Sequence, residues 1–214
     1  YPIGEESAIE GIQEERNVLL GKDKNTDEYL TSRITAQGRI GLGVYTLDKM
    51  TGTRNSYGVY KISLWVNGSE KLSYTFDELV KGEDPYLNTL IDFPLYVKTG
   101  TRVQRLYREP QNKLSIYTTT QESDGIIQVE DGMTYLVEVK IEDFNKNITT
   151  LNLTIDGKKE PITGLRPESK GTPLVAKRDN MYKTENMTVY IPEDTFFQDT
   201  FIEVRQKGDT LSVV

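Results

Sequence analysis

Apolar and polar residues alternate along four stretches of the chain, which predicts that each stretch is a β-strand. The stretches cover residues 40–44, 60–66, 135–141 and 151–155. A period of two places one face of a strand in a core and the other in water, as in antiparallel sheets. Turn-forming pairs stand beside these stretches: Asn67-Gly68, Asp131-Gly132 and Asp156-Gly157. No helix-length stripe with a period of 3.6 residues is present, so the pattern predicts an all-β chain.

The strand-rich region, residues 29–157, is predicted to form an antiparallel β-sandwich. Short strands separated by turns at this spacing are typical of that architecture. Residues 1–28 are rich in glutamate and are expected to be a linker, or a first edge strand at the apolar run 18–20.

The last third of the chain is predicted to contain a linker and a second group of strands. Residues 158–182 are rich in Pro, Gly, Lys and Arg, as expected of a linker or a covering loop. Residues 183–214 are expected to form a short additional C-terminal β segment, either packed on the sandwich or beginning a second domain. Its predicted strands are 187–191, 201–205 and 210–213.

A long connection, residues 77–111, interrupts the alternating strands and contains Pro85, Pro94 and Pro110. It is expected to hold a helical turn at most, at 76–80 or 84–90. Long ordered loops are often functional. This one contains a basic, aromatic segment, formed by Tyr96, Lys98, Arg102, Arg105, Tyr107 and Arg108.

The basic segment has two interpretations. It is a docking surface for an anionic partner or an acidic neighbouring domain, since Arg and Tyr are enriched in interface hot spots. Alternatively, its arginines pair with carboxylates of the chain itself, as surface ion pairs commonly do.

Charge and composition exclude several classes of function. The net charge of −7 argues against nucleic-acid binding, which requires basic surfaces. The chain has no histidine and no cysteine, so it lacks the usual zinc ligands and any His-based nucleophile system. We therefore expect no catalytic residue, cofactor or metal in this chain. No apolar run approaches the roughly 20 residues of a membrane helix, so no transmembrane segment is expected.

Trp65 is the strongest candidate for a sugar contact. It alternates with the inward residues Ile62, Leu64 and Val66, so it is predicted to face outward. An exposed Trp can stack on a sugar, but another part of the protein could equally cover it.

Acidic residues give two weaker hypotheses. Asp23, Asn25 and Asp27 resemble the opening of a calcium loop, but Glu28 and Ile34 occupy the positions that require Gly and Glu, so an exposed acidic turn is expected. A glycoside hydrolase that uses only carboxylates needs two of them about 5–9 Å apart. The nearest cluster in sequence is expected to lie on solvated turns and strand faces; it comprises Glu122, Asp124, Glu130 and Asp131.

Several segments, in this order, resemble the non-catalytic β-rich region that follows the catalytic domain in M23-family (lysostaphin-like) peptidases of Bacteroidetes-type bacteria. The segments are GRIGLGVYTLDKMTG (38–52), YGVYKISLWVNG (57–68), LIDFPLYVKTGTRVQRLY (90–107), GIIQVEDGMTYLVEVKIEDFNKN (125–147) and TVYIPEDTFFQD (188–199). The resemblance implies an immunoglobulin-like sandwich. It also implies that the intact protein is a zinc endopeptidase acting on peptidoglycan, in the periplasm or cell envelope.

The family's catalytic residues do not carry over to this chain. Its zinc site uses a His-x-x-x-Asp element and a His-x-His element, and neither is matched by a sequence without histidine. Zinc would therefore belong to an adjacent peptidase domain, and Tyr1-Pro2-Ile3 is similar to the exit from that domain. The expected function is that of an accessory module that orients or regulates the peptidase domain. The alternative is a carbohydrate- or cell-wall-binding module.

Overall fold

The computed structural model describes residues 1–26, 28–49, 56–118, 123–165, 171–184, 187–197, 199–207 and 210–213. The chain forms two compact units. The first comprises Tyr1–Arg108 with Lys113–Arg166, and the second comprises Glu109–Asn112 with Pro167–Val214.

The first unit consists of strands with a short helical insertion. Its strands are β1 (Ala8–Ile9), β2 (Gly21–Lys22), β3 (Tyr29–Leu30), β4 (Ile34–Ile40), β5 (Gly43–Tyr45), β6 (Asp48–Lys49), β7 (Ser56–Tyr57), β8 (Lys61–Val66), β9 (Ser69–Thr75), β10 (Val103–Arg105), β11 (Tyr117–Thr118), β12 (Ile127–Val129), β13 (Thr134–Glu142) and β14 (Ile148–Gly157). Its helices are a 3-10 turn (Asp84–Tyr86), α1 (Leu87–Leu90) and α2 (Phe93–Thr99).

A large mixed sheet organises the first unit in the order β1-β4-β14-β13-β8-β9-β11, with β12 also paired to β4 and β3 to β14. β8 and β9 form a hairpin through Asn67-Gly68, whose φ angles of 50° and 76° match the two-residue turn predicted there. Alternation places Ile62, Leu64 and Val139 in the core, because each points to the same face of the sheet.

β4 changes partners along its length. Its first half runs parallel to the end of β14, whereas its second half pairs antiparallel with β12. Gly38 lies at the change with φ of 73°, and a Cβ there would come within 2.8 Å of the Ser7 hydroxyl. A glycine is needed at this bend, since an L side chain would meet both backbone strain and a steric clash.

The long connection is more helical than the sequence predicted. The helical turn expected at 84–90 is present as the 3-10 turn and α1, but α2 makes about two further turns where no helix was predicted. Asp92 caps the helix by accepting a hydrogen bond from the Leu95 amide at 3.1 Å, and Pro94 lies in the first turn. Gly100, in the left-handed conformation, ends it.

The acidic N-terminal segment belongs to the first unit. β1 pairs with β4, and Ala8 and Ile9 are buried. Residues 18–20, predicted as the edge strand, lie outside any strand. Asp156-Gly157, predicted as a turn, is the end of β14.

Antiparallel pairs of short strands form the second unit. The strands are β15 (Thr172–Leu174), β16 (Asn180–Lys183), β17 (Thr188–Ile191), β18 (Thr200–Ile202), β19 (Val204–Lys207) and β20 (Thr210–Val213). β15 pairs with β18, β16 with β17, and β19 with β20. The predicted strands 187–191 and 210–213 correspond to β17 and β20, whereas the predicted strand 201–205 is divided between β18 and β19. The predicted linker contains β15 and the start of β16. The chain is predominantly β, as predicted, and no helix among the described residues is long and apolar enough to cross a membrane.

Candidate functional site

The exposed part of the basic segment lies on and beside α2. The Arg102 guanidinium lies over the Tyr96 ring, 5.2 Å from its centroid, and the Tyr96 and Phe93 rings are 6.2 Å apart. Phe93 is 40% exposed and Val97 67% exposed. We name the surface formed by Phe93, Tyr96, Val97, Lys98 and Arg102 the α2 patch.

The other three residues of the predicted docking surface are engaged within the first unit. Tyr107 is buried and packs against the Tyr1 ring at 5.9 Å, so its inclusion in an exposed surface was wrong. Arg105 lies over the Tyr107 ring at 5.7 Å, and its charge acts on Glu15. Arg108 forms an ion pair with Asp124 at 2.8 Å. For Arg108, pairing with the chain's own carboxylate is therefore the correct interpretation.

A pair of carboxyl groups, Glu15 and Asp92, lies next to these arginines. Asp92 is buried and accepts hydrogen bonds from the Leu95 amide and, at 2.9 Å, from the Tyr1 hydroxyl. Burial raises the pKa of Glu15, and the charge of Asp92 and a hydrogen bond between the two side chains raise it further. Burial and Asp92 likewise raise the pKa of Tyr1 well above its ordinary value. The Glu15 carboxyl therefore holds its proton more tightly than an exposed glutamate does.

A cavity of about 330 Å³, partly open to solvent, lies in the first unit, and sequence reasoning did not predict it. Its walls come from β13 and β14 on one side and from β5, β10 and Leu106 on the other. Residues 15–20 line its rim. We call this space the interlayer cavity. Most of its lining is aliphatic, and Glu15 of the carboxyl pair lies at one end.

Trp65 is partly exposed on the polar face of the central sheet, as the alternation predicted. Its indole N–H donates to the Ser63 hydroxyl at 3.1 Å, and the Lys140 ammonium lies 4.6 Å from its ring centroid. Glu138 and Glu70 are its cross-strand neighbours. One ring face is thus engaged by Lys140, with polar side chains around it.

The remaining acidic candidates are held in local contacts. The Asn25 amide donates to Asp23 at 2.7 Å in a short turn, while Asp27 lies outside the described residues. Asp131 accepts the Lys159 amide at 2.8 Å, and Glu122 also lies outside the described residues. Within the described part of the chain, no three Asp, Glu, His or Cys residues are grouped so as to hold a metal ion.

Comparison with models of known protein families, with curated proteins and with solved structures finds no match to this chain.

Proposed function

We propose that this chain is a non-catalytic accessory module of a cell-envelope zinc peptidase of the M23 type that acts on peptidoglycan. The module orients or regulates the peptidase domain of the same protein, and that domain carries the zinc. The proposal places the protein in the periplasm or cell envelope. It is supported by the segments that resemble the β-rich region of those peptidases, and by the α2 patch.

The α2 patch is the observation that carries the proposal. It combines two exposed apolar side chains, Phe93 and Val97, with the stacked pair of Tyr96 and Arg102. Tyr and Arg are enriched among residues that carry most of the binding energy of protein interfaces. An apolar centre with polar groups at its rim is the usual anatomy of such an interface. A short helix that presents this combination suits a neighbouring folded domain.

An immunoglobulin-like sandwich is the fold that we propose for the first unit. Its central sheet includes the order β14-β13-β8-β9, which corresponds to the order G-F-C-C′ in variable-type immunoglobulin domains. The pairing of β12 with the second half of β4 supplies strands for an opposing sheet. A sandwich of this kind presents its long connections, including 77–111, for contact with other domains.

Binding of the chain to the separately expressed peptidase domain of the same protein tests the proposal. The double variant Val97→Asp/Arg102→Glu should raise the dissociation constant at least tenfold, because loss of a hot-spot residue costs about 2 kcal/mol or more. Lys159→Glu is the matched control, since it reverses an exposed charge after β14 and outside the patch. Arg105 is left unaltered, because its reversal would disturb the contacts with Tyr107 and Glu15.

Two results would contradict the proposal in different ways. If the double variant binds as well as the unaltered chain, the α2 patch is not the docking surface. If the unaltered chain does not bind the peptidase domain at all, the accessory role itself is wrong.

A second candidate function is binding to cell-wall carbohydrate through Trp65. The specific observation is the partly exposed indole on a polar sheet face, with the side chains of Lys140 and Glu138 beside it to bond sugar hydroxyls. Co-sedimentation of the chain alone with insoluble peptidoglycan sacculi, lost in Trp65→Ala, would favour this function. A chain that stays in the supernatant at low and physiological salt would exclude it.

A further inference from the structure

The interlayer cavity is larger than a packing void, and it is partly open to solvent. Protein interiors are packed as densely as organic crystals, and the few voids larger than a water molecule are small. A space of about 330 Å³ falls instead at the lower end of the range for small-molecule pockets, roughly 300–1,000 Å³. Its size therefore favours a ligand site over a packing defect.

The lining of the cavity identifies the chemistry of a ligand. The wall residues are aliphatic on both sides: Val137, Val139, Leu151 and Leu153 face Leu42, Val44, Val103 and Leu106. Tyr1 and Tyr45 also line the cavity, but most of the lining is aliphatic, so a flexible chain suits the space better than a flat ring. An apolar lining of this kind accepts apolar guests.

The charged residues at the rim restrict which polar group the ligand can carry. Of the residues that line the cavity, Glu15 and Arg16 are the ones with charged side chains. The Arg16 guanidinium is bonded to Glu10 at 2.5 Å, and Glu15 lies beside the Asp92 carboxyl. A ligand carboxylate would meet the Glu15 carboxyl at this end, whereas a hydroxyl could bond Glu15 or Asn17. The rim therefore favours an uncharged polar group.

We propose that the interlayer cavity binds the aliphatic chain of an uncharged amphiphile, with its hydroxyl-bearing end at the rim formed by residues 15–20. A methylene group occupies about the volume of a liquid water molecule, ~30 Å³, so 330 Å³ accommodates roughly ten carbons. This site is independent of the proposed accessory role, since no residue of the α2 patch lines the cavity.

The rim provides a route of entry. Residues 15–20 have no regular secondary structure, and Leu19 and Leu20 are 89% and 44% exposed although both line the cavity. Exposed aliphatic side chains at the mouth give an incoming chain its first apolar contact. Val18, in contrast, packs against the core and anchors this segment.

Isothermal titration calorimetry of the whole chain with 1-alcohols of six to twelve carbons, each below its solubility limit, tests the proposal. Each added methylene should raise the affinity about threefold to fourfold, from the free energy of burying that group. The rise should stop at about ten carbons, when the cavity is full. If a glyceride can supply the chain, monodecanoylglycerol should bind with the same affinity as 1-decanol. Decanoate, which is negatively charged at pH 8, should bind at least tenfold more weakly than 1-decanol.

Matched substitutions on β14 locate the site. Leu151→Trp fills the cavity and should weaken 1-decanol binding more than tenfold, whereas Ile148→Trp, on the opposite face and 60% exposed, should leave it unchanged. If Leu151→Trp does not fold, the milder Val137→Leu/Val139→Leu adds two methylenes to the wall and should move the limit to about eight carbons. No saturable binding of 1-decanol, an affinity that ignores chain length, or equal effects of the two Trp variants would overturn the proposal.

Discussion

Gly157, the last residue of β14, leaves no space for a side chain. A Cβ at this position would lie 1.8 Å from the carbonyl oxygen of Glu130. Because the obstacle is backbone, relief requires movement of the β14 end or of the turn before β13. Gly157→Ala should therefore lower the free energy of unfolding by about 3 kcal/mol, at the upper end of overpacking costs.

Urea unfolding measures this loss, and Gly58→Ala is its control. A Cβ at Gly58 would meet no atom within 4 Å, so this substitution should change stability by less than about 0.5 kcal/mol. Equal effects of the two substitutions would show that the contact with Glu130 does not determine the requirement for glycine.

The Glu15 carboxyl should titrate above its ordinary pKa of 4.5, first because burial disfavours its charge and then because Asp92 lies beside it. The folded chain then holds this proton more tightly than the unfolded chain. The contact between Glu15 and Asp92 thus stabilises the folded chain below pH 4.5. This stabilisation is lost as the pH rises from 4.5 through the raised pKa of Glu15. NMR titration of the Glu15 side-chain carbon measures the midpoint.

Asp92→Asn is the matched variant for this titration. It removes the neighbouring charge but not the burial, so the midpoint should fall only part of the way towards 4.5. A midpoint at or below 4.5 in the unaltered chain would contradict the carboxyl pair.

At the scale of elements, α2 shows which sequence signals were misread. The long connection was expected to hold one helical turn at most, yet Pro94 occupies the first turn of α2, where its missing N–H costs nothing. Asp92 before the helix and Gly100 after it are standard start and stop residues. A helix of about two turns is too short to produce a stripe with a period of 3.6, so capping residues were the available signal.

Whether a strand was predicted from the sequence depended on how many large apolar residues it contains. β8 and β13 were predicted correctly because half-buried strands alternate strictly. β9 was not predicted, since only Leu72 and Tyr74 are large and apolar in it, although both are fully buried. The Asn67-Gly68 turn was predicted correctly, and a hairpin turn implies a second strand after it. For β9 this turn was a stronger signal than the apolar residues of the strand itself.

Removal of the Asp92 side chain tests the importance of the cap for α2. Asp92→Ala deletes the acceptor for the Leu95 amide and for the Tyr1 hydroxyl, so the free energy of unfolding should fall by about 1–2 kcal/mol. Asp92→Asn retains a capping oxygen and should cost less than half as much. Urea unfolding compares the two, and equal losses would indicate that the charge, which both variants remove, matters here rather than capping.

At the scale of the whole molecule, the most important sites depend on distances that no local pattern encodes. Glu15 and Asp92 are far apart in sequence and meet because the N-terminal segment packs beside the helical insertion. The interlayer cavity exists because its two walls stand apart, whereas alternation predicts only which residues face inward. The amino-acid composition was enough to identify the basic segment. Which of its residues form the α2 patch, and which make internal contacts, could be determined only from the fold.

The division into two units makes a prediction about folding. The continuous core cluster, from Ile9 to Ile155, lies entirely in the first unit, whereas the described buried apolar side chains of the second are Leu174, Ala176 and Ile202. A fragment of residues 1–165 has the size and the core of an independent domain, so it should unfold cooperatively in urea and give dispersed amide resonances. A fragment of residues 167–214 is too small for a core of its own and should lack both properties. A first fragment that unfolds without a cooperative transition would show that the core cluster does not suffice for folding.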